Sequence, residues 1–149
     1  MPLSSETIEL VNRKVPINIE LKGRGTANPV ANMLNKYVKG SWGDSDFLVS
    51  SFNHAELAEF IMLMPAIRSG AQIVGIPTDY AAFAEKIGAY SVNPSVEFIN
   101  EEFINDAHSR NLKVFVFTVN DDSEVRRMQS MRVDAIFTNY PDKARSYLV

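Results

Sequence analysis

The stretch Val15–Gly23 holds the residues of this sequence whose types and spacing most suggest chemistry. If it is a strand, its side chains alternate, so that Asn18, Glu20 and Lys22 share one face and the apolar residues between them share the other. Both faces of a strand in a parallel sheet are normally buried, and a buried carboxylate and ammonium are costly unless they are paired or bound. One interpretation is therefore that Glu20 binds a divalent cation and Lys22 an anionic group. The other is a Glu–Lys ion pair at the edge of a sheet.

Polar residues also end the later apolar runs. Ser50 and Ser51 close the second run, and their hydroxyls could donate hydrogen bonds to a phosphate or serve as ordinary loop and cap residues. Both histidines, His54 and His108, are predicted to lie at the surface. No G-x-S-x-G turn is present that would place a serine nucleophile.

Strands and helices are predicted to alternate along the chain. Short apolar runs predict strands at Val15–Leu21, Phe47–Phe52, Gln72–Ile76, Tyr90–Asn93, Val114–Val119 and Ala135–Thr138. Helices are predicted at Ser5–Arg13, after Asn53, at Asp79–Ile87, Phe103–Arg110 and Asp121–Met131, and from Pro141 to the carboxyl terminus.

Three of these helices have residues at their ends that are typical of helix starts or exits. Asn53 with Glu56 fits an N-cap whose partner lies three residues on, and Thr78 is suited to cap Asp79–Ile87. Gly88 and Asn111 suit left-handed helix exits. The alternation predicts a parallel sheet covered by helices.

Composition narrows the class of protein. The 149 residues fit one domain, residues 1–149, and a net charge of −3 disfavours a general nucleic-acid binder. Without cysteine, disulfides, thiolate metal sites and cysteine nucleophiles are excluded. No apolar run is long enough to span a membrane, so we expect a soluble, cytoplasmic polypeptide. Length alone favours an open sheet of five or six strands over a (β/α)₈ barrel, which needs about 250 residues.

Five segments, taken in order, resemble the glycerophosphodiester phosphodiesterase family. They are the N-I-E-L-K strand Asn18–Lys22, the Ser-Phe strand end at Ser50–His54, the Asn-Pro of Val92–Pro94, the segment Phe117–Asn120 in place of W-T-V-N, and the final Val133–Pro141. The resemblance extends from Met1 to Val149 and replaces the open sheet with about six βα units of a (β/α)₈ TIM barrel whose first two units are missing.

The resemblance implies hydrolysis of glycerophosphodiesters to glycerol 3-phosphate and an alcohol, a part of lipid and glycerol metabolism. In the family a divalent cation, Mg or Ca, is held by three carboxylates, and two histidines act as general acid and as base or nucleophile. Glu20 matches the third metal-ligand carboxylate and Lys22 the lysine that contacts the substrate phosphate. Ser50, Ser51, Asn93 and Phe117 are expected to line the pocket, with Phe117 standing where the family has a tryptophan. Arg132 replaces a glycine and Asn139 an aspartate.

The family's H-R-G strand, P-E-N-T, E-x-D and H-D motifs are not found in this sequence. We therefore expect no catalytic residue to be retained, weak or no cation binding, and no activity of this chain by itself. The alternatives are a non-catalytic module that binds phosphate or a partner, and an unrelated six-stranded protein. We expect a small-molecule substrate, no nucleic-acid partner, no membrane span, and self-association through open sheet edges.

Overall fold

Strands and helices alternate through the chain, as the sequence predicts. The computed structural model describes residues 4–147. The strands are β1 Ile17–Glu20, β2 Phe47–Ser51, β3 Arg68–Ile73, β4 Ser91–Pro94, β5 Lys113–Val116 and β6 Ala135–Ile136. The helices are α1 Ser4–Val11, α2 Ala27–Val38, α3 His54–Leu63, α4 Ala82–Lys86, α5 Glu101–Ser109, α6 Asp122–Ser130 and α7 Pro141–Tyr147. A short 3₁₀ turn, Asp44–Asp46, precedes β2.

The order of the strands in the sheet is their order in the chain, from β1 to β6. β1 pairs with β2, β4 with β5, and β5 with β6, and each of these pairings is parallel. The predicted parallel β/α repeat is therefore confirmed. The chain divides into two compact units, residues 1–70 and 71–149. The assignment of residues 1–149 to one domain stays a prediction.

In the first unit the core lies between β2 and the helices that follow β1 and β2. Phe47 stacks on Trp42 with ring centroids 5.0 Å apart, and Trp42 meets the edge of Tyr37 from α2 at 6.2 Å. Leu34 of α2 and Phe60 of α3 are fully buried. Because Phe47 faces these aromatic residues, this face of β1 and β2 is the one that the helices cover.

In the second unit the helix-covered face of the sheet is aliphatic. Val92 of β4 lies beside Val114 of β5 in the parallel register, and both are fully buried. Phe103 of α5 and Met128 of α6 are buried in the same unit. The hydrophobic effect, about 25 cal/mol per Å² of apolar surface removed from water, thereby holds the helices against the strands.

The prediction was wrong for three elements. Helix α2 was not predicted, because three asparagines and Pro29 weaken the helical signal of a segment whose first turn nevertheless tolerates proline. β3 begins four residues before the predicted strand, and its buried residues are small and polar ones rather than the β-branched Val74 and Ile76. Helix α4 begins at Ala82, and no side chain caps it, so Thr78 does not play the predicted role.

The predicted helix exits are confirmed. Gly88 has φ +74° and Asn111 has φ +60°, the left-handed conformation that ends a helix. Arg132, which stands where the resemblance expects glycine, has φ +59° after α6. The last predicted helix is present as α7, and its predicted end at Val149 lies outside the described residues. None of the described helices is long and apolar enough to cross a membrane.

Candidate functional site

Glu20 and Lys22 lie on the same side of the chain at the carboxyl end of β1. Lys22 Nζ is 3.8 Å from Glu20 Oε2. The Lys22 side chain is 79% exposed and that of Glu20 is 30% exposed. The expectation that both faces of β1 are buried is therefore wrong here, because β1 is an end strand and Lys22 lies beyond its last residue.

Glu20 and Ser50 share the face of the sheet that the helices of the first unit leave uncovered. Ile17 lies beside Phe47, and Glu20 beside Ser50, in the parallel register. Since Phe47 faces the helix layer, alternation directs Glu20 and Ser50 to the opposite face. A cavity of about 250 Å³, lined in part by Glu20, runs along β1 beside α1.

The Ser50 hydroxyl is buried and has no hydrogen-bond partner among the described residues. An unpaired buried hydroxyl is uncommon in proteins and costs about 1–3 kcal/mol. Ser51, one residue on, differs: its hydroxyl donates to the carbonyl of Leu21 at 2.7 Å and accepts from the N–H of Asn53 at 3.0 Å. Ser51 thus joins the ends of β1 and β2, whereas the hydrogen-bonding capacity of the Ser50 hydroxyl is unused among the described residues.

The pair of Glu20 and Lys22 contributes little to stability. An ion pair between solvent-exposed side chains contributes about 0–1 kcal/mol, because water and salt screen it. An anion could therefore displace Glu20 from Lys22 at small cost. The ion-pair and the anion-binding interpretations of these two residues are thus compatible.

In the second unit, Asn93 and Phe117 lie at the carboxyl ends of neighbouring strands. Asn93 is fully buried; its Oδ1 accepts from the Ser91 hydroxyl at 2.7 Å, and its Nδ2 has no partner among the described residues. Phe117 follows β5 and forms an isolated parallel bridge with Ser95. Its N–H donates to the carbonyl of Pro94 at 3.0 Å. Asn93 therefore presents an unused donor, and Phe117 an aromatic ring, at the carboxyl end of this unit's sheet.

Other polar residues that follow strands of the second unit bond the backbone of its loops. Asn120 Oδ1 accepts from the N–H of Asn139 at 3.0 Å, and Thr138 Oγ1 accepts from the N–H of Tyr140 at 3.1 Å. These bonds lie directly before α7. They hold the backbone of the loop that enters this helix.

His108 lies at the opposite end of the strands from the predicted site. Its Nε2 is 2.9 Å from Asp134 Oδ2, and Asp134 also accepts from Lys113 Nζ at 2.7 Å and from the N–H of Val114 at 2.9 Å. Lys113 is the first residue of β5, and Asp134 directly precedes β6. Burial alone would raise the pKa of Asp134, but the bonds from Lys113, Val114 and His108 outweigh it and hold the pKa below its usual range. This cluster joins the amino ends of two strands, the face of a parallel α/β fold that serves stability.

Sequence reasoning assigned the wrong partner to Glu56. Asn53 caps α3 as predicted, accepting from the N–H groups of Ala55 and Glu56. The Glu56 carboxylate does not return to Asn53. It accepts instead from the N–H groups of Gly25, Thr26 and Ala27, at 2.5, 3.1 and 3.1 Å.

These backbone bonds, led by the one from Gly25, hold the pKa of Glu56 below its usual value. One feature of the sequence could have indicated this contact. The first turn of α2 contains no acidic residue of its own that could neutralise its free N–H groups.

The donor set at Glu20 does not fit a divalent cation. Mg²⁺ and Ca²⁺ take about six or more oxygen ligands, usually from several carboxylates. Among residues 4–147 no group of three or more histidine, aspartate or glutamate side chains is placed to hold a metal ion. Glu20 alone would supply one ligand of such a site.

The glycerophosphoryl diester phosphodiesterase family model matches residues 1–143. The chain is 30% identical over 149 residues to a glycerophosphodiester phosphodiesterase of Bacillus altitudinis, covering 97% of this chain and 61% of that protein. It is 27% identical over 144 residues to one of Caldanaerobacter subterraneus, covering 95% and 59%. The chain thus spans about 60% of the length of these relatives.

Two solved structures have the same fold. A phosphodiesterase of Oleispira antarctica, in complex with its product sn-glycerol-3-phosphate, has a TM-score of 0.86 and 27% identity, covering 99% of this chain and 61% of that one. The glycerophosphodiester phosphodiesterase of Thermotoga maritima has a TM-score of 0.71 and 24% identity, covering 99% and 62%. These likenesses confirm the β/α repeat of a TIM-barrel phosphodiesterase and exclude an unrelated open-sheet protein.

Proposed function

Since this chain belongs to the glycerophosphoryl diester phosphodiesterase family, we propose that it carries the phosphate-recognising part of a site that hydrolyses glycerophosphodiesters. The reaction would break the bond between phosphorus and the oxygen of the alcohol. Water supplies a hydroxyl to phosphorus and a proton to the departing alcohol, which leaves glycerol 3-phosphate and an alcohol. The product bound to the Oleispira antarctica phosphodiesterase is of this class.

The observation that carries the proposal is the group formed by Glu20, Lys22 and Ser50. Lys22 is an exposed cation paired with Glu20, and Ser50 has a buried hydroxyl without a hydrogen-bond partner among residues 4–147. A phosphate needs both positive charge and hydrogen-bond donors. In the second unit, taken by itself, Asn93 offers a buried donor without a partner among the described residues, and Phe117 an aromatic ring.

Catalysis by this chain alone is not part of the proposal. General acid–base catalysis contributes about 10²–10⁴-fold, and a proton must reach the departing alkoxide. His108 is engaged by Asp134 at the amino ends of β5 and β6, and His54 lies in the first turn of α3. The family's cation would need ligands in addition to Glu20. We therefore expect the chain to bind the phosphate product and not to turn over substrate, so the alternative of a non-catalytic phosphate-binding module remains open.

An assay of the purified chain with glycerophosphocholine, in the presence of Mg²⁺ or Ca²⁺, tests this. Release of choline should equal background for the wild type and for Glu20→Ala. Glu102→Ala, an exposed acidic residue of α5, is the matched control. Turnover that survives Glu102→Ala and disappears in Glu20→Ala would show that the chain is a working enzyme and would overturn the proposal.

A further inference from the structure

Lys22 lies in a short loop that is held at both ends. On the amino side, the N–H of Leu21 donates to the carbonyl of Ser50 at 2.8 Å, and Ser51 bonds the carbonyl of Leu21. On the carboxyl side, the loop enters α2 at Ala27. Gly25, at φ +72°, makes the turn into the helix. The position of the Lys22 backbone, from which its side chain extends, therefore depends also on how firmly the carboxyl side of the loop is fixed.

That side of the loop is fixed by a residue from another element. Glu56 lies on α3, about 30 residues further along the chain, and one carboxylate accepts the N–H groups of Gly25, Thr26 and Ala27. Glu56 itself is only 8% exposed. Its position on α3 is fixed in turn by the Asn53 cap, whose N–H bonds Ser51 at the end of β2. The ends of β1 and β2 are thus connected through Glu56 to the loop that bears Lys22.

Ordinary helix capping does not account for this arrangement. In α3 and α5 the residue before the helix caps it with its own side chain, Asn53 and Asn100 respectively. At α2 the corresponding Thr26 makes no such bond, and its hydroxyl donates to the carbonyl of Gly23 at 2.8 Å. The Thr26 side chain thus bonds within its own loop, and the free N–H groups at the start of α2 bond Glu56 instead.

The same contact limits where a substrate anion can bind. The amino terminus of a helix is a natural site for a phosphate, because its N–H groups are unpaired and its dipole is positive there. At α2 the protein's own carboxylate occupies that place. An anion that arrives at the carboxyl end of β1 is therefore left to Lys22.

We propose that Glu56 is a positioning residue, which acts through the loop of residues 22–26 to hold Lys22 where it meets the substrate phosphate. This rests on the proposed function for the role of Lys22. The affinity of a ligand falls in proportion to the fraction of time that its site is in the binding conformation. If the loop keeps its conformation about a tenth of the time without Glu56, phosphate affinity falls about tenfold.

Whether the affinity for an anion falls or rises when Glu56 is replaced distinguishes positioning from electrostatics. Glu56→Gln removes a negative charge, so electrostatics alone would make the chain bind an anion more tightly. Positioning predicts weaker binding. Glu59→Gln is the matched control, since Glu59 lies on the same helix, loses the same charge, and bonds the side chain of Asn28 rather than the backbone of the loop.

The experiment titrates sn-glycerol 3-phosphate into ¹⁵N-labelled full chain and follows the amide signals of residues 20–27 by NMR. We expect about tenfold weaker binding in Glu56→Gln, unchanged or slightly tighter binding in Glu59→Gln, and fast motion of residues 22–26 in the Glu56 variant alone. A loop in Glu56→Gln as ordered as in the wild type, or unchanged affinity despite a mobile loop, would overturn the proposal.

Lys22→Ala distinguishes failure of the proposed function from failure of this inference. If the wild type binds no sn-glycerol 3-phosphate, or Lys22→Ala binds it equally well, the proposed function fails, and the role of Glu56 in substrate binding fails with it. If Lys22→Ala abolishes binding and Glu56→Gln does not weaken it, only the inference about Glu56 is refuted. Thermal unfolding of each variant checks that it is folded at the titration temperature.

Discussion

Replacing Asp134 with alanine should destabilise the chain more than the loss of a surface ion pair would. Three groups bond this carboxylate: Lys113 Nζ, His108 Nε2 and the N–H of Val114. Val114 is fully buried in the middle of the β5 pairing, so water does not readily replace Asp134 as the acceptor for its N–H. Asp134 therefore secures the start of β6 against β5.

The expected magnitude is about 2–3 kcal/mol. Leaving a buried N–H without an acceptor costs about 1–3 kcal/mol. Lys113 is 48% exposed, and the loss of an ion pair of that kind adds about 0–1 kcal/mol. The variant Asp134→Asn keeps an oxygen acceptor for Val114 and should lose only about 1 kcal/mol. Lys113→Met should likewise lose less than about 1 kcal/mol.

Urea unfolding followed by circular dichroism at pH 7 measures these differences. For a chain of this size, 2–3 kcal/mol lowers the Tm by roughly 5–10 °C. The control is Asp79→Ala, an exposed aspartate in the loop before α4, which should change little. If Asp134→Ala loses less than about 1 kcal/mol, or no more than Lys113→Met does, then the N–H of Val114 does not depend on Asp134 and the reasoning is refuted.

Three further predictions concern stability at low pH, the backbone conformation of Arg132 and the outer edge of β1. The pKa values of Glu56, Asp106 and Asp134 are lower in the fold than in the unfolded chain, for Asp106 chiefly through its bond from Arg110. Their contribution to stability is complete above about pH 5 and is lost as the pH falls below about 4. Urea unfolding from pH 7 to pH 3 should show this decline, and a constant free energy of unfolding would contradict it. Arg132 has a left-handed backbone conformation, which glycine adopts without steric cost. Arg132→Gly should therefore raise the free energy of unfolding by about 0.5–1 kcal/mol, whereas Arg132→Ala should give no gain. The outer edge of β1 has no partner strand among residues 4–147, so light scattering at high concentration should detect a dimer or larger species, and a clean monomer would speak against pairing at that edge.

Local patterns predicted those parts of the fold that depend on neighbouring residues. The cap at Asn53 was predictable because an asparagine side chain accepts hydrogen bonds from nearby backbone N–H groups. The helix exit at Asn111 was predictable because asparagine tolerates the left-handed backbone conformation. β3 was misplaced because Val74 and Ile76 look like strand residues, while Gly75 with φ +121° ends the extended segment between them. Helix α2 was missed because its stability comes from burial of residues such as Leu34 rather than from its own propensity.

The residue types of the candidate site were predictable from the sequence, but the long-range hydrogen bonds around it were not. Alternation along β1 correctly placed Glu20 and Lys22 on one side, and the matching register of Ser50 follows from parallel pairing. The contact of Glu56 with the loop before α2 joins residues about 30 positions apart, and no short-range spacing encodes such a contact. The roles of these residues toward a substrate stay predictions.

The most direct test of the central claim is a calorimetric titration of sn-glycerol 3-phosphate into the wild-type chain and into Lys22→Ala. The account predicts saturable binding by the wild type that weakens as salt concentration rises, because an exposed cation provides much of the attraction. It predicts no measurable binding by Lys22→Ala. Equal binding by the two proteins, or none by the wild type, would contradict the claim that this chain carries the phosphate-recognising part of a phosphodiesterase site.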